Sequence, residues 1–87
     1  MYLPVFEAEW NWHFRKLEKE LQVRVGKKIQ KILEHPQKRH LMAGARFFVG
    51  EVGQHRIIYR VFEQANEVRF YFVGGHKEYE CWYKLQH

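Results

Sequence analysis

The sequence contains no serine, no threonine and no aspartate; all ten acidic residues are glutamate. A Ser-His-Asp triad therefore cannot be assembled. The oxygen-rich cages that hold Mg or Ca lean on Asp and are disfavoured. Any catalysis must draw on His, Lys, Arg, Glu, Tyr or the one cysteine, Cys81. A lone cysteine excludes an internal disulfide and suits a reducing compartment. Set between Glu80 and Trp82, without a cation-rich context, Cys81 reads as a buried or inert thiol rather than a nucleophile. The six histidines (13, 35, 40, 55, 76 and 87) include no i, i+4 helical zinc pair, and there is no cysteine pair, so neither a metal nor another cofactor is expected. No apolar run approaches the roughly 20 residues that span a bilayer. "MYLPVFEAEW" lacks the basic region and apolar stretch of a signal peptide. The expected location is the cytoplasm, with no membrane partner.

What is present points to a folded, basic protein. Its 87 residues fit one small domain, 1–87, and a domain of this size buries only about 60% of the surface its unfolded chain exposes. With 46% hydrophobic and 17% aromatic residues, the chain is too apolar for disorder, and large rings fill a small core efficiently. Fifteen Lys and Arg against ten Glu give a net charge of +5. Such a surface favours nucleic acid or another polyanion.

Hydrophobic periodicity divides the chain in two. "YLPVF" is a short β-prone run, placed by Pro4 at a sheet edge or before pairing starts. Trp10, Phe14, Leu17 and Leu21 recur at helical spacing. Val25, Ile29, Ile32 and Leu33 mark a second apolar helix face, with Lys27, Lys28 and Lys31 on its wet side. A break near Leu21 to Val23 is expected between the helices, and His35-Pro36 ends the second. "PQKRHLMAG" reads as a loop. Strands follow: "RFFVGEV" with Gly50 a candidate bulge, "HRIIYRVFE", and "EVRFYFV", joined by short turns at "GQ" and "QAN" that imply antiparallel neighbours. "HKEYECWYK" continues as a strand extension or one short helix. The expected fold class is α+β: two N-terminal helices packed on one face of a three- to four-stranded antiparallel sheet. The two glycines at 74 and 75 are expected to let the chain turn abruptly, and Trp82 to anchor the tail on the sheet.

This order of elements resembles the RelE/ParE toxin superfamily over nearly the whole chain. "VGQHRIIYRV" is similar to the family's run of a small residue, an aromatic or His, Arg, two aliphatics and Tyr. "FVGGHKEYECWY" is similar to its strand ending in Gly, followed by His or basic residues, an acid and a Tyr. "KIQKILEHPQKRHLMAG" matches the usual second helix, proline and loop. The resemblance implies a toxin of a type II toxin–antitoxin pair, a metal-independent endoribonuclease that cleaves mRNA on the ribosome. Its implied partners are a cognate antitoxin, in a toxin–antitoxin hetero-oligomer, and mRNA with the ribosome. The alternative is a ParE-like DNA topoisomerase poison, or an inactive member that only binds its antitoxin.

The implied chemistry has three needs. A base takes the proton of the attacking 2′-hydroxyl, cations stabilise the charged phosphate, and an acid protonates the leaving 5′-oxygen. Arg56 matches the family's strand arginine and is assigned the phosphate; the competing reading is a strand arginine paired with Glu51 or Glu63. Lys77 lies near the family's basic residue after the glycine, and Tyr83 matches its C-terminal tyrosine; they read otherwise as a solvated turn lysine and as tail packing. Several members carry two basic residues on the strand before the arginine, where this chain has Val49 and Glu51. Other members use a Glu with the strand Arg and a C-terminal His and Tyr, for which Glu51, His55, His76 and Tyr83 offer a variant. Lys27, Lys28, Lys31, Lys38, Arg39 and Arg46 are the expected contacts to RNA backbone.

Overall fold

Ile57, Ile58 and Tyr59 are consecutive, and all three are inaccessible to solvent. Neighbouring residues of a strand point to opposite faces, so the strand that carries them is covered on both sides. That requirement organises the fold. The computed structural model describes residues 1–36 and 47–85. In chain order they form β1 (Leu3–Phe6), α1 (Ala8–Arg15), α2 (Lys19–Glu34), β2 (Phe48–Val52), β3 (His55–Phe62), β4 (Glu67–Gly74) and α3 (His76–Leu85).

The sheet order is β1-β4-β3-β2. β2, β3 and β4 form the expected antiparallel meander. A two-residue turn, with Gly53 at φ 59°, closes the first hairpin. A short 3-10 turn over Glu63–Ala65, ending at Asn66 in the left-handed region, closes the second. The sheet is not purely antiparallel, however. β1 pairs with β4 in parallel, Leu3 opposite Glu67 and Phe6 opposite Phe70. The expected all-antiparallel sheet is thus a mixed one: two helices carry the chain from β1 to the far edge, and the meander returns it to β1 with β4 running the same way.

One face of the sheet packs Val52, Ile57, Tyr59, Val68, Phe70 and Val73 against Trp10 of α1 and Val25, Ile32 and Leu33 of α2. The other face packs Val49, Ile58 and Phe72 against Trp82 of α3. Each large apolar side chain removed from water contributes about 1.5–3 kcal/mol, so the short tail helix is a substantial part of the fold. It is the helical form of the tail that occurs, and a third helix joins the expected two. Glu78 explains its start: its Oε1 accepts the Gly75 backbone N–H at 3.1 Å, half of a capping box.

Three local expectations are corrected. The break between the first helices falls at residues 16–18 rather than at Leu21 to Val23. Phe14, Leu17 and Leu21 all pack against the same core, so the apolar period runs through the break and hides it. There Gln22 Nε2 donates to the Phe14 carbonyl at 3.1 Å, satisfying a helix-end acceptor. Gly50 is not a bulge: it lies in register opposite Ile57. A Cβ at Gly50 would sit 3.3 Å from both Ile32 Cδ1 and Lys28 Cε, so glycine there admits α2. The irregularity is on β4, where Phe72 pairs with Ile58 and Phe70 with Tyr59, leaving Tyr71 as the extra residue. Finally, neither Gly74 nor Gly75 has a positive φ. Gly74 is needed for space, since its Cβ would lie 2.7 Å from Phe72 Cζ and 2.9 Å from Glu78 Oε1.

Candidate functional site

Arg56, Ile58 and Arg60 alternate along β3 and share one face. Ile58 belongs to the cluster beneath α3, so Arg56 stands beside α3. Its guanidinium carbon lies 4.6 Å from the Tyr79 ring centroid, and Tyr79 stacks on Tyr83 at 6.3 Å. A cation over a ring face is held without neutralising its charge. In the sheet, Arg56 is flanked by Glu51 of β2 and Gly74 of β4.

Beside Arg56 opens a shallow cleft of about 260 Å³ lined by Glu51, Gly53, Gln54, His55, Arg56 and His76. The structure therefore brings together Glu51, His55, Arg56 and His76 of the catalytic candidates. His76 Nε2 lies 3.1 Å from Glu80 Oε2, one helical turn on. Tyr83 adjoins this group through Tyr79. Lys77 is exposed on the first turn of α3 and does not line the cleft. Cys81 is exposed on the same helix rather than buried. His55, at the start of β3, also borders a second hollow with His13, Lys16, Leu17, Glu18, Leu21 and Glu78.

The tail is tied down beside the cleft. Trp82 stacks on Phe72 at 5.8 Å and meets Phe47 edge-on at 5.2 Å. Its indole N–H donates to Glu9 Oε2 of α1 at 2.8 Å. Lys16, just past the end of α1, lies 3.6 Å from Glu78 of α3, and His13 meets the Phe72 ring edge-on at 4.7 Å. Burial pushes the His13 imidazole below its ordinary value, outweighing the opposing pull of Glu9. The Gly75 N–H bond, aided by Lys16, holds the Glu78 carboxyl below its usual range.

Of the expected RNA-backbone contacts, Lys27 and Lys31 are exposed on α2. Lys28 is not a simple wet-face residue, because it is half-buried and its stem packs over Gly50. Lys28 and Lys31 line a hollow of about 500 Å³ that reaches Glu51. Lys38, Arg39 and Arg46 lie outside the described residues. Among the described residues, no three His, Cys or Glu side chains are grouped to hold a metal ion, and no helix is long and apolar enough to cross a membrane.

Sequence reasoning missed Tyr79, whose ring carries Arg56, and Arg60. The signal for Arg60 was present: it has the strand parity of Arg56. Tyr79 had none until the tail was known to be helical, which places it under the strand and puts Tyr83 a turn further on.

No family model and no curated protein matches this sequence. Solved structures do. The isolated E. coli RelE toxin matches with a TM-score of 0.77 at 20% identity, covering all of both chains. A chain of the intact E. coli RelBE toxin–antitoxin complex matches at 0.78 and 21% identity, over 87% of this chain and 98% of that one. A chain of the RelBE2 toxin–antitoxin complex from Mycobacterium tuberculosis matches at 0.76 and 19%, over 86% and 98%. At these identities the likeness establishes the fold.

Proposed function

We propose that this chain, which has the fold of RelE toxins, is the toxin of a toxin–antitoxin pair and cleaves mRNA on the ribosome. The observation that carries the reading is the position of Arg56. Its guanidinium is seated on an aromatic ring and bordered by two imidazoles and a carboxylate in one open cleft. That is the set required to cleave RNA by attack of its own 2′-hydroxyl. Arg56 holds the scissile phosphate and stabilises the charge that builds on it. Glu51 and His55 are two bases placed to take the 2′-hydroxyl proton. His76, 3.1 Å from Glu80, returns a proton to the leaving 5′-oxygen. The reaction so written needs no metal. Val49, where other members carry a base, is a core residue here, so the proton is taken elsewhere than along that strand position.

The basic face of α2 then faces ribosomal RNA, and the cognate antitoxin is the partner that silences the protein. The RelBE complexes that share the fold support an antitoxin of that kind. The test is induction in cells with mapping of new mRNA 5′ ends. Arg56→Ala should lower cleavage about 100-fold or more. It should cost only about 0.5–1 kcal/mol of stability, the worth of an exposed cation–π contact. Comparing Glu51→Gln with His55→Gln identifies the base. If the wild type inhibits growth without producing new ends, cleavage is excluded and a different target, such as a topoisomerase, takes its place. If no co-expressed neighbouring protein is captured in a complex, the toxin–antitoxin reading fails.

A further inference from the structure

The face that carries Arg56 continues along β3 to Arg60, about 13 Å away at the usual rise of a strand. Directly across from Arg60 on β4 stands Arg69. Like charges placed opposite one another destabilise a sheet. Both guanidinium groups also stand over a single ring, that of Phe62, with Arg60 Cζ at 4.8 Å and Arg69 Cζ at 4.4 Å from its centroid. Arg69 has a counter-ion in Glu67 at 3.2 Å. Arg60 forms no ion pair with a carboxylate among the described residues. Its guanidinium also lies 5.8 Å from the centroid of the Phe47 ring. Phe47 and Tyr71 meet edge-on at 5.3 Å, with Tyr71 presented by the bulge in β4. All five side chains are partly exposed.

The repulsion in this cluster costs folding free energy, and an external anion would relieve it. The interleaved rings favour an anion that also carries flat faces. Single-stranded nucleic acid meets both conditions: its phosphates pair with Arg, and every base has a face to stack. An acidic peptide meets only the first.

We propose that Arg60, Arg69, Phe62, Tyr71 and Phe47 form a second RNA subsite, where one phosphate binds between the arginines and a base stacks on the adjoining rings. The subsite rests on the mRNA-cleavage reading and extends it: the message is cut at Arg56 and gripped at Arg60, on either side of the tail helix that covers Ile58 between them. Stacking is indifferent to base identity, so the grip is sequence-tolerant.

The test uses the full chain and a fluorescent 12-nucleotide RNA blocked by 2′-O-methyl groups, with a poly-glutamate peptide of equal length as competitor. Arg60→Gln/Arg69→Gln should weaken RNA binding about tenfold or more and flatten the salt dependence by roughly one unit of slope per lost phosphate contact. Its melting temperature should not fall, since the repulsion goes too. Tyr71→Leu should weaken binding at unchanged salt slope. Arg15→Gln/Lys19→Gln removes the same charge from helix surfaces and should leave affinity within about twofold, a change set by net charge alone. Equal loss in both double variants overturns the subsite, as does unchanged RNA affinity in Arg60→Gln/Arg69→Gln. A loss of peptide binding alone assigns the surface to an acidic protein. Cleavage by the wild type on programmed ribosomes is scored separately. RNA binding that depends on Arg60 without cleavage retains the subsite and rejects the nuclease; cleavage without that dependence does the reverse.

Discussion

Gly26 and Gly74 look alike in the sequence and are opposites in the structure. Gly26 lies inside α2, and a Cβ there would meet nothing within 4 Å. Glycine in a helix interior costs about 0.5–1 kcal/mol relative to alanine. Gly26→Ala should therefore raise the melting temperature by a few degrees, at about 4–8 °C per kcal/mol for domains of this size. Gly74→Ala drives a methyl into the Phe72 ring and the Glu78 carboxylate. It should destabilise by about 1–3 kcal/mol, as overpacking does, and thermal melts of the two variants should move in opposite directions. Sequence can mark a glycine but not the atoms that crowd it, which is why Gly50 reads as a bulge and Gly74 as a swivel. Arg56 is legible because a motif surrounds it. Arg60 and Arg69 are not, because their juxtaposition depends on the cross-strand register set by the short 3-10 turn over Glu63–Ala65.

Among the elements, the meander was the most legible part. β-branched and aromatic residues crowd its strands, and its turns are too short for any other pairing. The tail was ambiguous because ten residues that bury one tryptophan serve a strand or a helix equally well; the half capping box from Glu78 to Gly75 decides it. That helix has one deep anchor. Trp82 is 5% exposed, and Trp82→Ala should cost about 3–5 kcal/mol, measured by urea denaturation. The same change should abolish cleavage even where the protein stays folded, because Tyr79 and His76 ride on the helix that Trp82 seats. Trp82→Phe keeps the ring packing and loses only the bond to Glu9. It should cost less and keep cleavage, so a Trp82→Phe variant as damaged as Trp82→Ala would refute the anchoring role.

At the scale of the molecule, the contact between α1 and α3 is sensitive to acid. The His13 pKa is lowered on folding from its ordinary 6.5, so the folded state prefers neutral His13. Its stabilising contribution is complete above that value and is lost as the pH falls through the lower folded one. Glu78 is lowered from 4.5; its contribution is complete above that value and is lost below it. Both shifts have the same sign, so stability should decline in two stages on acidification. The melting temperature measured from pH 7 to about pH 2 should show this. His13→Gln should remove the first stage and leave the second, and a wild-type melting temperature constant from pH 7 to pH 5 would contradict the assignment.

The parallel pairing of β1 with β4 has a consequence in time. Leu3 must find Glu67, and Phe6 must find Phe70. Contacts so distant along the chain are slow to form, since the entropy of closing the loop is spent before any pairing rewards it. While the protein is being synthesised, β1 has no strand to join until β4 has been made, and α1, which follows β1 and holds the carboxylate that receives Trp82, cannot fasten α3 before then. A chain released early therefore has its strand arginine without the helix that borders the cleft.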